Sequence, residues 1–210
     1  MGDIYEFGIR LLVIILALTI HEMCHGLTAY ALGDDTAKAQ GRLTLNPLKH
    51  LDPIGLLMLI VARFGWAKPV PVNPSKFVKV DARTGMVLVG AAGPVSNLLL
   101  GFIAVLCWVL LEPRGVFWNN FLMEVVLINV YLAFFNLIPI PPLDGSKVLF
   151  GALPARFYRY TYFFERYGNL ILLVLILTRS VGFIVTPFAS GMIEAYVNFA
   201  EALRGVFGMG

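Results

Sequence analysis

The chain has 210 residues, 59% of them hydrophobic and 14% charged, with a formal net charge of +3. Its mean hydropathy is +0.80, well above a soluble domain, which is nearer half apolar and a quarter charged. These values predict an integral membrane protein built as one membrane-embedded domain over 1–210; the small net charge and the lack of a basic tail predict no nucleic-acid partner.

The sequence has no internal repeat or low-complexity tract. Cys24 and Cys107 both fall in apolar runs and read as small buried hydrophobes, not as a disulfide framework. The N-terminus does not read as a cleaved signal peptide. Asp3 and Glu6 stand where a basic region would be, and no small-residue cleavage site follows.

The first predicted span runs over 4–32, with Gly33 as its stop. At that length it reaches about 40 Å, enough to cross a bilayer. It carries His21-Glu22-Met23-Cys24-His25. Residues four apart share a helical face, so His21 and His25 can take two corners of a tetrahedral zinc site. Glu22 lies on the neighbouring arc, where a carboxylate can take a proton from a metal-activated water. Ionisable groups inside so apolar a run are costly, which makes them functional candidates.

Residues 34–53 are too polar for lipid. Gly41-Arg42-Leu43-Thr44-Leu45 alternates and predicts a short strand. Residues 54–62 are apolar, but a span needs about twenty such residues, so they read as a re-entrant or interfacial piece. The proline-rich stretch 66–74 suits an extended strand or loop lining a cleft beside the metal.

The second span is predicted at 84–111. Gly90, Gly93, Asn97 and Gly101 form a small-residue stripe on it, which lets another helix approach closely. Asn97 on this stripe should face protein, either in an interhelical hydrogen bond or binding backbone near the metal. The third span covers 117–138. Asn129 and Asn136 share one of its faces, and Glu124 lies near its start. Prolines then end the helix, and Asp144 emerges on the loop beyond. A catalytic zinc needs a third protein ligand and an open fourth position; Asp144 has the right depth for it, and alternatively caps a helix beginning at Gly145. Residues 156–178 predict a fourth span. Residues 183–207, with Glu194, Asn198 and Glu201 as a polar stripe, predict either a fifth span or a surface helix.

Eight Lys or Arg lie in 33–83 and four in 139–166. The positive-inside rule puts both loops in the cytosol and the N-terminus outside, provided 54–62 does not cross. The C-terminal half of the first span and Asp144 then meet on the cytosolic side. The expected fold is thus an all-α multi-pass membrane protein. Three transmembrane helices carry the zinc site, C-terminal helices follow, and a small re-entrant β/loop region lies at the cytosolic face.

These motifs resemble one family. His21-Glu22-x-x-His25, then Gly93-Pro94-Val95-Ser96-Asn97, then Asn136 with Leu143-Asp144-Gly145, are similar in order and spacing to the site-2 proteases, intramembrane zinc metalloproteases. The resemblance covers about two thirds of the chain. It implies one catalytic Zn2+ held by His21, His25 and Asp144, with Glu22 as general base and later acid. It implies that Asn136 holds substrate or stabilises the oxyanion, and that Asn97 orients the strand or loop presenting substrate. Transmembrane proteins would be the substrates, and a prokaryotic cell membrane the location. Many relatives carry a PDZ domain or a CBS pair; this chain looks like the short form, with an intact metal motif. The rival expectation is a metal-binding adaptor or transporter without proteolysis. It is disfavoured because the polar groups gather at one depth, and Arg10 alone interrupts the outer halves of the spans at 7–17 and 100–111. A lipid-anchored soluble protease fails on the number of spans.

Overall fold

Long apolar runs with few helix breakers become helices that satisfy their own backbone, the requirement for crossing lipid. The structure, a computed structural model, describes residues 2–62, 65–154 and 157–207. Among these it forms α1 (Gly2–Leu32), α2 (Thr36–Ala39), α3 (Pro53–Ala62), α4 (Ala82–Leu111), α5 (Val116–Asn136), α6 (Asp144–Ala152), α7 (Tyr158–Leu177) and α8 (Ser180–Val206). Four helices are long and apolar enough to cross a membrane by length and composition: α1 over Ile4–Leu32, α4, α5 and α8. The fold is all-helical and the protein is an integral membrane protein.

The α4 helix is central. Asp81 caps it, accepting hydrogen bonds from the amides of Arg83 and Thr84. One side packs on α1, another on α5 and α8. Ala104 and Val105 of α4, Val126 and Val130 of α5, and Val185, Ala189 and Ala200 of α8 form the shared apolar core. The α8 helix runs alongside α4 in the same direction. Phe102 meets the rings of Tyr196 and Phe199, the Tyr196 hydroxyl donates to the Leu98 carbonyl, and Glu112 pairs with Arg204. The ambiguous 183–207 segment is therefore a long apolar helix in the bundle. The α7 helix, expected as the fourth span, is not among the four. Arg159, Glu165 and Arg166 fall in its first half, and only 170–177 is uninterrupted apolar sequence.

The strand expected at 41–45 does not form; these residues make turns and bends. Side chains and a turn hold this stretch: the Arg42 amide donates to the Ala37 carbonyl. Arg42 Nη2 donates to the carbonyls of Lys68 and Pro69, and His50 Nε2 donates to the Thr44 carbonyl. Among the described residues the one β-bridge joins Leu51 to Ala67. The 54–62 piece is the ten-residue α3, about 15 Å long and too short to span. Asp52 accepts from the amides of Ile54 and Gly55 at its start. Arg63 and Arg156, counted above among the basic residues, lie outside the described residues.

Candidate metal centre

Gly33, at φ +115°, stops α1 and leaves His21 and His25 in its C-terminal half. Pro139, Pro141 and Pro142 prevent α5 from continuing. Leu143 is extended, and Asp144 is the first residue of α6. These local events bring together residues more than a hundred positions apart. His21 Nε2, His25 Nε2 and Asp144 Oδ2 lie 3.0 Å from one another, pair by pair. All three side chains are buried.

The outer nitrogens of the two rings decide what the inner ones are. His25 Nδ1 sits 2.6 Å from the Val89 carbonyl, which can only accept, so Nδ1 carries the proton. Asn97 Nδ2 donates to Asn129 Oδ1 at 2.8 Å and faces the Ala17 carbonyl at 3.4 Å. This leaves Asn97 Oδ1 to accept from His21 Nδ1 at 2.6 Å. With both rings neutral, each Nε2 then carries a lone pair, and both face a carboxylate oxygen. Three lone pairs directed at one another in a buried site repel unless a cation lies among them. Atoms 3.0 Å apart can all sit about 2.0 Å from one point outside their plane, the bonding distance of zinc to imidazole and carboxylate. The donor set fits that metal.

The α4 helix comes within reach of both rings only because residue 93 is glycine. A Cβ there would lie 2.5 Å from His21 Nε2 and 2.6 Å from His25 Nε2. The small-residue stripe read from the sequence thus admits the histidines as well as a neighbouring helix. Asn97 is fully buried, and its amide is spent on α1 and α5. The bonds it makes are interhelical, one of them to the His21 imidazole.

Glu22, half-buried, accepts the Val70 amide on Oε2 at 2.9 Å. The segment it holds forms no helix over 66–73, with Ala67 bridged to Leu51 and Asn73 in extended backbone. The Lys68 amide donates to the His50 carbonyl at 2.8 Å, Arg42 holds the Lys68 and Pro69 carbonyls, and the Asn73 amide donates to Asp34 Oδ2 at 2.6 Å. Burial alone would raise the Asp34 pKa, but hydrogen bonds from Thr36 and Asn73 outweigh it and hold the group below the usual carboxylate range. Asn136, at the end of α5, gives one N–H to the Leu132 carbonyl at 3.0 Å and has a second to offer. It does not join the hydrogen bonds of the three-residue centre.

Three features escaped the sequence reading: the Asn129 link behind Asn97, the Glu22–Val70 bond, and Lys147, whose Nζ lies 2.7 Å from Asp144 Oδ1. Only the last left a local signal, the i,i+3 spacing of opposite charges at the start of a helix.

A buried convergence of metal-ligand atoms, with a glutamate on the same helix and a bundle of membrane-grade helices around it, marks a metal-dependent hydrolase of the membrane. Comparison with known proteins gives the class its family. The sequence model of "Peptidase family M50" matches residues 112–178. Over 200 residues the chain is 39% identical to "Putative zinc metalloprotease YwhC" of Bacillus subtilis (strain 168), covering 91% of this chain and 90% of that protein. Over 182 residues it is 34% identical to "Putative zinc metalloprotease Rip2" of Mycolicibacterium smegmatis (strain ATCC 700084 / mc(2)155), covering 83% and 70%. No solved structure matches. The chain belongs to peptidase family M50, the site-2 protease family of intramembrane zinc metalloproteases.

Proposed function

We propose that this protein hydrolyses peptide bonds within or near the transmembrane segments of other membrane proteins, with His21, His25 and Asp144 as zinc ligands and Glu22 as the proton-transfer group. The observation that carries this reading is the meeting of two imidazole nitrogens and a carboxylate oxygen, each 3.0 Å from the others, in a buried site. Zinc held there supplies a Lewis acid and lowers the pKa of a water towards neutrality. Glu22 Oε2 is anchored by the Val70 amide, which leaves Oε1 to take the water's proton and return it to the leaving amine. Asn97 positions His21, fixing its tautomer and ring plane, and Asn129 fixes Asn97. The free N–H of Asn136 holds a substrate carbonyl or the oxyanion that forms from it.

The same Val70 bond supports a route for substrate. The non-helical 66–73 segment is anchored beside Glu22 by the Val70 amide, so an unwound substrate strand can pair with it, as in β-augmentation. The charge bias of the loops supports a cytosolic-side site with the N-terminus outside. The transporter alternative gains nothing from the outer half of the bundle. Arg10, the one interruption expected there, is paired with Glu124, and the pair clips α1 to α5.

The test is cleavage of a panel of single-pass membrane segments by purified protein in detergent, beside Glu22→Gln, with zinc quantified in both. The expected result is cleavage by wild type alone, with zinc retained in the variant. Zinc in both and cleavage in neither would favour the adaptor reading. No zinc in either, from a metal-replete preparation, would overturn the proposal.

A further inference from the structure

We infer that Lys147 is a positioning residue for the metal centre: its ammonium occupies one oxygen of Asp144 so that only the other faces the histidines. The inference rests on the zinc reading above. Asp144 has two carboxylate oxygens, and the structure divides them. Oδ2 lies 3.0 Å from each imidazole Nε2, while Oδ1 accepts from Lys147 Nζ at 2.7 Å. The carboxylate is almost wholly buried, with its side chain 7% exposed, whereas that of Lys147 is 38% exposed. Lys147 is therefore the element through which a buried ligand is tied to the protein's wet side.

The local chain explains why the lysine reaches. Asp144 opens α6, and Lys147 lies three residues on, one turn along the same face. The first turn of α6 lies close against α4 at Gly90, where a Cβ would meet Lys147 Cβ at 3.0 Å and the Asp144 carbonyl at 3.2 Å. That contact holds the lysine stem beside the carboxylate. On its other side the stem lines a cavity of about 520 Å³, with Arg83, Met86, Pro141, Phe150 and Glu165 among its walls. The remaining ammonium hydrogens can stay hydrated there.

The consequence is chemical. A carboxylate with both oxygens free can turn both towards a cation and fill the position that a catalytic zinc keeps open. An ammonium on Oδ1 removes that option and fixes the plane of Asp144. Partners of metal ligands act in this way, and their loss typically costs about 10–100-fold in metal affinity.

The experiment compares wild type, Lys147→Met and Lys147→Arg in two measurements besides activity. One is zinc affinity of the metal-stripped protein against a competing chelator. The other is the visible spectrum after cobalt(II) loading, which is intense for four ligands and weak for five or more. Lys147→Met is expected to shift zinc affinity by about tenfold or more and to weaken the cobalt spectrum as Oδ1 joins the coordination. Lys147→Arg, which keeps a cationic donor, is expected to restore both. Lys147→Gln replaces Lys147→Met should the latter not fold. A neutral variant with zinc affinity within about twofold of wild type and a superimposable cobalt spectrum overturns the inference, since every 1.4 kcal/mol is tenfold and twofold lies below any ligand-orienting effect. Wild type that binds no zinc sinks the metal reading itself, so the two failures are told apart.

Discussion

The two ends of α1 handle polar groups differently. At its C-terminal end, His21 and His25 are 3% and 5% exposed, and each ring nitrogen is given a defined partner by α4 or α6. Near its N-terminal end, Arg10 meets Glu124 through a single ion pair with the arginine side chain 53% exposed. Buried polar groups must be satisfied in detail or they destabilise the fold. A half-exposed pair can trade its contact for water or headgroups at little cost. Geometry should therefore be rigid at one end and replaceable at the other.

The sharpest way to break the rigid end is Gly93→Ala. The added Cβ would sit within 2.6 Å of both imidazole Nε2 atoms. The rings cannot retreat, because Asn97 and Val89 hold them from behind. Crowding a packed interior by one methyl typically costs about 1–3 kcal/mol, and here the displaced atoms are the proposed ligands. We expect zinc affinity to fall by about 100-fold and cleavage to be lost, while the helical signal in circular dichroism is retained. Near-wild-type zinc binding would show that the rings have freedom the hydrogen bonds deny them.

A smaller effect is expected one bond further out. Asn97→Leu keeps the volume but removes the acceptor for His21 Nδ1, so the ring is free to rotate or change tautomer. Zinc affinity should fall by about 10-fold. Asn129→Val, which leaves Asn97 in place and removes only its support, should cost less than Asn97→Leu. The check is isothermal titration with the two variants side by side, and a larger effect at Asn129 would reverse the order of the relay.

Much of this arrangement was legible from local sequence. Helices α1, α4 and α5 follow from apolar runs longer than a bilayer is thick, and the pairing of His21 with His25 follows from the helical repeat. Asp144 was reachable by asking what a zinc site still lacked. What local patterns could not carry were contacts between distant segments. The partner of His21 Nδ1 is 76 residues away and that of Glu22 Oε2 is 48 away, and no periodicity encodes either. The strand expected at 41–45 failed for the same reason. Alternation gives a strand two faces but no neighbour, and here the Thr44 carbonyl is met by the His50 side chain and not by another strand. The polar stripe of Glu194, Asn198 and Glu201 left 183–207 open between span and surface helix, whereas the aromatic contacts of α8 with α4, at Phe102, Tyr196 and Phe199, place it in the bundle.

The smallest effect belongs to the replaceable end. Arg10 makes a forked contact with Glu124, with Nη2 2.7 Å and Nε 3.2 Å from Oε1. Glu124 is the more enclosed partner, its side chain 17% exposed. Removing Arg10 alone strands a carboxylate between two apolar helices, whereas removing both charges leaves ordinary helix contact. Arg10→Met should therefore destabilise by about 1 kcal/mol, read as a lower unfolding temperature in detergent. Arg10→Met combined with Glu124→Leu should recover most of that loss. Neither should move zinc affinity by more than about twofold, because the histidines lie eleven or more residues along α1, roughly 16 Å of helix away. Zinc binding that weakened with the ion pair would mean that α1 transmits a shift at one end to the other, and the rigid centre would then depend on the clip between α1 and α5.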